Sequence, residues 1–124
     1  MQRIIMMAFI LGIGVAPSFC MADGNDLLRK CNAVILAADS GIKFSTDSYT
    51  DIGWCLGYVE GVRNTAHIYQ AIFKDNKVYC IPQGVENGQI IRVILKYLND
   101  HPNMLHEHES LLTMMAIREA FTCE

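Results

Sequence analysis

Basic residues are scarce and scattered through this chain, and nowhere do they form a block. That excludes a nucleic-acid backbone as partner, because phosphate binding needs clustered Lys and Arg. The longest apolar run, Ile4 to Val15, is twelve residues broken only by Gly12 and Gly14. A bilayer core requires roughly 20, so no membrane span is expected. No CxxC pair occurs, and cysteines standing alone lack the close ligand pairs of zinc modules. No nucleophile elbow, phosphate-binding loop or paired-carboxylate constellation is present, and no segment alternates as a half-buried strand does. These absences leave an all-α domain with no metal, no cofactor and no enzymatic machinery.

What is present begins with an export signal. Arg3 supplies a short positive region, Ile4 to Val15 the apolar stretch, and Pro17-Ser18 ends any helix. Cys20-Met21-Ala22 places small residues at the −3 and −1 positions before Asp23. The bulky Phe19 just before Cys20 is unlike a lipidation site of the Leu-Ala-Gly-Cys kind. The expectation is a cleaved leader over residues 1–22 and one domain over 23–124, with no membrane attachment after cleavage. That domain carries nine Lys and Arg against thirteen Asp and Glu, a net charge of −4.

Cleavage removes the odd cysteine. Cys31, Cys55, Cys80 and Cys123 remain, an even number in an oxidising compartment, which reads as two disulfides with three possible pairings. Oxidised cysteines cannot act as nucleophiles, which need a thiolate.

Helical spacing organises the rest. A first helix opens at Gly24-Asn25, with Asn25 or Asp26 as cap, and runs through Ala38 on Leu27, Leu28, Cys31, Val34 and Ile35. Asp39 to Ser48 is polar and reads as a loop. A second helix spans about Thr50 to Phe73, with Cys55, Val59, Val62, Ala66, Tyr69 and Phe73 along one stripe. A charged turn at residues 74–77 leads into a short extended segment, 78–82. The third helix starts at Glu86 or Asn87 and buries Ile90, Ile91, Ile94, Tyr97 and Leu98, ending where Pro102 biases His101 away from helical geometry. The last runs from about Asn103 to Phe121 and buries Leu105, Leu111, Leu112 and Met115. In a small up-and-down four-helix bundle, Cys31 and Cys55 fall near one end and Cys80 and Cys123 near the other. The expected staples are therefore Cys31–Cys55 and Cys80–Cys123.

Gly53, Gly57 and Gly61 lie four apart and form a groove without side chains on one face of the second helix. Each costs roughly 0.5–1 kcal/mol relative to Ala in a soluble helix, so the row predicts close approach of another backbone. A helix of the same chain is favoured over a second subunit, and Trp54 and Tyr58 flank the row. Among the histidines, His106-Glu107-His108-Glu109-Ser110 resembles a HExxH zinc motif but has Ser110 where the second histidine belongs. His106 and His108 would also stand about 200° apart around a helix, so they cannot share a metal. His108, in line with Leu105 and Leu112, is expected to be partly buried, and His101 and His106 solvated.

Several segments together resemble the Rap1a/Tai immunity proteins of bacterial type VI secretion. They are Asp23-Gly24-Asn25-Asp26-Leu27-Leu28 with Cys31, residues 54–62 (WCLGYVEGV), Cys80-Ile81-Pro82-Gln83-Gly84-Val85, Tyr97-Leu98-Asn99-Asp100-His101-Pro102 and Ala120-Phe121-Thr122-Cys123. Thr122 stands where proline is expected before the last cysteine. The resemblance implies a periplasmic, mostly helical and often dimeric protein that is not an enzyme. Such a protein binds a peptidoglycan amidase toxin and occludes its active site. Contact residues do not carry over, because they lie outside the matching motifs. The polar turn from Asp100 to Glu109, presenting Asp100, Asn103, His106, Glu107 and Glu109, is a candidate partner-binding surface because it joins two helices and could enter a cleft. An acid-stress chaperone of the periplasm is the alternative, although such chaperones resemble a smaller domain with one disulfide.

Overall fold

The computed structural model describes residues 22–41, 45–75 and 77–123. Apart from Ala22, the expected leader lies outside these residues. Four α-helices follow one another: α1 (Gly24–Ser40), α2 (Thr46–Ile72), α3 (Asn87–Asp100) and α4 (Glu109–Ala120), with a 3₁₀ turn at Pro102–Met104 before α4. Among the described residues there is no strand beyond an isolated antiparallel bridge between Asp23 and His108. The all-α expectation holds, and both disulfides form as expected, Cys31–Cys55 and Cys80–Cys123.

The N-cap of α1 is Asp23, two or three residues earlier than expected. Its carboxylate accepts the Asp26 amide at 3.0 Å, which holds the Asp23 carboxyl below its ordinary range. Gly41 closes the helix in the left-handed conformation that a C-terminal glycine takes readily. Helix α2 begins at Thr46, four residues before the expected start, because the polar residues of 46–49 lie on an exposed first turn that needs no apolar stripe. The last helix departs most. It starts at Glu109, not near Asn103, because residues 102–104 wind as a 3₁₀ turn and His108 is the N-cap.

The core gathers Leu27, Cys31, Cys55, Val59 and Ala66 from α1 and α2, Ile81 from the extended segment, and Ile90, Ile91, Ile94, Leu95, Tyr97 and Leu98 from α3. Leu112, Ala116 and Ile117 complete it from α4. Helix α1 packs most extensively on α2, and α3 on α4, whereas α2 and α4 barely meet. The later start of α4 changes its buried face: Leu111 is 47% exposed and Met115 stands at the surface, while Ala116 and Ile117 point inward. Phe73 lies just past the end of α2 and is exposed, its ring tilted against Tyr69 instead of buried. The Cys31–Cys55 bond lies mid-helix on α1, not at an end of the bundle, and both sulfur-bearing residues are fully buried. The second bond ties the end of α4 to the extended segment, beside a 2.8 Å hydrogen bond from the Cys80 amide to the Phe121 carbonyl.

Candidate functional site

Two surfaces stand out, the turn between α3 and α4 and the cleft between α2 and α4. The turn is held from several sides. The His101 ring stacks on Tyr97 with centroids 4.1 Å apart, and its Nδ1 lies 2.8 Å from the Tyr97 carbonyl. The Asn25 amide donates to the Leu105 carbonyl at 3.1 Å. The Gly24 amide donates to the Glu107 carbonyl at 3.1 Å, and the Glu109 amide to the Ala22 carbonyl at 3.2 Å. Gly24 is needed here, since a Cβ on it would come within 2.5 Å of Leu112 and 3.0 Å of the Leu105 backbone. A polar turn is thus tied to α1 and α3 at several points.

Of the residues expected on that turn, Asp100, Asn103 and His106 are exposed and Glu107 is half-buried. Asp100 pairs with Lys96 at 2.5 Å, and His106 lies 3.4 Å from Glu107. Glu109 differs: one carboxylate oxygen is buried without a hydrogen-bond partner among the described residues, and burial pushes its carboxyl above the ordinary range. His108 is exposed, not partly buried, because its ring faces the start of α4 and accepts the Ser110 amide at 3.2 Å. His101 is half-buried by its stacking on Tyr97 and so is not fully solvated. No group of His, Cys, Asp and Glu among the described residues could hold a metal.

Among the described residues, the glycine row of α2 receives no other helix. A Cβ at Gly53, Gly57 or Gly61 would meet nothing within 4 Å, which corrects the expectation of intramolecular packing. At about 100° per residue, the row lies opposite the buried stripe of Cys55, Val59 and Ala66. It continues along the same outer face into Ile68 and Ile72, 61% and 65% exposed. Gly57 and Gly61 form one side of the cleft, a space of about 460 Å³ walled by Val62 and Tyr79 and, from α4, by Met114 and Ile117. No Asp, Glu, Lys or Arg lines it, and its polar groups are hydroxyls. The Tyr58 hydroxyl bridges the cleft to Thr113 at 2.9 Å, and burial raises the phenol above its ordinary range. Trp54 stacks on Tyr58 at 5.0 Å, with the Lys30 ammonium 4.0 Å from the Trp54 ring centroid, so both flanking aromatics are half-buried.

Ile68, Ile72, Leu111 and Met114 were missed as surface groups in the sequence reading. The helical angle joining Ile68 and Ile72 to the glycines was available there. The exposure of Leu111 and Met114 depended on where α4 begins, which no local signal marked.

The arrangement offers a rigid polar turn and an uncharged apolar cleft, both suited to contact with another protein. No curated protein and no solved structure matches the chain. The family model described as Rap1a immunity proteins matches residues 23–123, nearly the whole described domain, and the chain belongs to that family.

Proposed function

We propose that this chain is a periplasmic immunity protein that neutralises a peptidoglycan amidase delivered by type VI secretion, by covering the toxin's active-site cleft. Family membership supports the immunity role. The observation that carries the mode of action is the clamped turn of residues 100–109, held to α1 by Asn25, Gly24 and the Asp23–His108 bridge. A surface already ordered before binding loses little conformational freedom on association, so its contacts translate into affinity. Asp100, Asn103 and His106 form its exposed polar part, and inhibition by occlusion requires no catalytic group on this side.

The chain acts as a homodimer in this reading. The outer face of α2, from Gly53 through Gly57 and Gly61 to the exposed Ile68 and Ile72, meets no other helix among the described residues and is bare enough at its glycines for backbone-to-backbone approach. Its burial would remove exposed isoleucines from water.

The test is to look for an amidase gene beside this one and to co-express its product with this chain in the periplasm. Cells survive when the immunity protein is present and lyse when it is absent. In vitro, one chain per toxin abolishes hydrolysis of peptidoglycan. Equal lysis with and without this protein ends the reading for that pair. Sedimentation equilibrium checks the dimer, and a single species of monomer mass across micromolar concentrations would discard it.

A further inference from the structure

The first described residues belong to the folded domain. The Ala22 carbonyl accepts the Glu109 amide at 3.2 Å, and one residue on, the Gly24 amide donates to the Glu107 carbonyl at 3.1 Å. Together these make the Asp23–His108 bridge. Glu109 is the first residue of α4, and its N–H is one of the four that a helix cannot satisfy internally. The others near it are occupied otherwise: the Ser110 amide goes to the His108 ring, and those of Leu111 and Leu112 to the His108 carbonyl. Ala22 is thus the acceptor that caps the Glu109 amide.

Cleavage between Ala22 and Asp23 would delete that acceptor. It would also replace the Asp23 amide by an ammonium, which brings donors only and cannot stand in for a carbonyl. The new positive charge would lie where the N-termini of α1 and α4 meet, both positive ends of helix dipoles. The carboxylates of Asp26 and Glu109 could offset the charge but not cap the Glu109 amide. A second bond two residues earlier also satisfies the small-residue rule, since Ser18 and Cys20 stand at −3 and −1 before Met21. Cutting there still discards Cys20 and leaves four cysteines.

From this geometry we infer that the leader is cut between Cys20 and Met21, so that Ala22 stays with the domain as the cap of α4. Water adds across the Cys20–Met21 peptide bond, leaving a carboxylate on Cys20 and an ammonium on Met21. The inference rests on export of the chain, which is part of the proposed function.

The experiment is intact-mass and N-terminal analysis of the protein recovered from the periplasm after expression of the full chain with its own leader. A product beginning at Met21 is expected. A product beginning at Asp23 overturns the inference while leaving export standing. A product retaining Met1, found in the cytoplasm or membrane, overturns both. Chains purified with Met21 and with Asp23 as first residue supply a second readout by hydrogen exchange. Exchange of the Glu109 amide is expected to be at least about tenfold faster in the shorter chain. Equal protection in the two would show that the Ala22 carbonyl caps nothing.

Discussion

At the residue scale, two glycines with opposite surroundings give opposite predictions. Gly24 lies under Leu112 and against the Leu105 backbone, with no room for a methyl group. Leu112 is fully buried, and the Leu105 atoms are backbone and cannot swing away. Gly24→Ala is expected to cost about 1–3 kcal/mol, the range for overpacking a filled site, and to lower the urea midpoint. Gly57 has open space around its missing Cβ and lies inside a helix. Gly57→Ala should stabilise the isolated chain by about 0.5–1 kcal/mol through backbone entropy alone. If the outer face of α2 meets another backbone as proposed, the same variant loses affinity for that neighbour while gaining stability. A variant that loses stability in the urea titration would show that Gly57 has a contact within the fold.

Between elements, Glu60 fastens α2 to the start of α3. Its carboxylate accepts from Asn87 at 2.5 Å and from Asn64 and Arg63 at 3.0 Å, and these donors, Asn87 foremost, hold its carboxyl below the ordinary 4.5. A folded-state value below the unfolded one gives stability that is present above about pH 4.5. That stability is lost as the pH falls through the lower folded value. Glu60→Gln should therefore be less stable than the wild chain at pH 7, and the gap should narrow as the pH falls below about 4.5, as followed by urea unfolding. A gap that does not narrow with falling pH would assign the effect to packing. The two disulfides also differ as elements. Cys31 and Cys55 are fully buried, whereas Cys80 and Cys123 are only half-buried. Mild reductant followed by alkylation should label Cys80 and Cys123 first. In the chain-entropy picture, loss of either bond costs roughly 3–4 kcal/mol.

How much was legible follows from the same elements. Helix α3 was read almost completely, because Ile90, Ile91, Ile94, Tyr97 and Leu98 form a strong stripe and Pro102 marks its end. The cysteine pairs were read correctly, although Cys31 and Cys55 meet mid-helix on α1 and not at the bundle end from which their pairing was argued. The start of α4 was not legible. His108 caps it with a ring nitrogen, and residues 102–107 are held by α1, eighty positions away in the chain. The cleft was illegible for a related reason: periodicity says which side of each helix is apolar, not that α2 and α4 stand apart.

At the scale of the whole molecule, Asp100, Asn103 and His106 of the polar turn are not among the residues lining the α2–α4 cleft, so the proposed roles of the two can be tested by separate substitutions. Replacing Asp100, Asn103 and His106 together by Ala is expected to weaken toxin binding at least about tenfold by calorimetry, since these exposed side chains support no core contact. Ile68→Glu with Ile72→Glu is expected to give a monomer by sedimentation and leave the helical circular dichroism intact. If the first set disrupts the dimer and the second abolishes toxin binding, the two surfaces have been assigned the wrong way round.

The order of the cystines along the chain has a consequence for biogenesis. Each cysteine pairs with the next one in sequence, Cys31 with Cys55 and Cys80 with Cys123, and the two loops neither nest nor interleave. For a chain that enters an oxidising compartment N-terminus first and has lost the leader with Cys20, Cys55 arrives while Cys31 is the only thiol waiting, and Cys80 emerges after that pair can close. An oxidant acting on thiols in order of arrival therefore makes the native linkage directly, without the slow exchange that a crossed pattern would demand. Assembly of this domain should need a thiol oxidant but no disulfide isomerase.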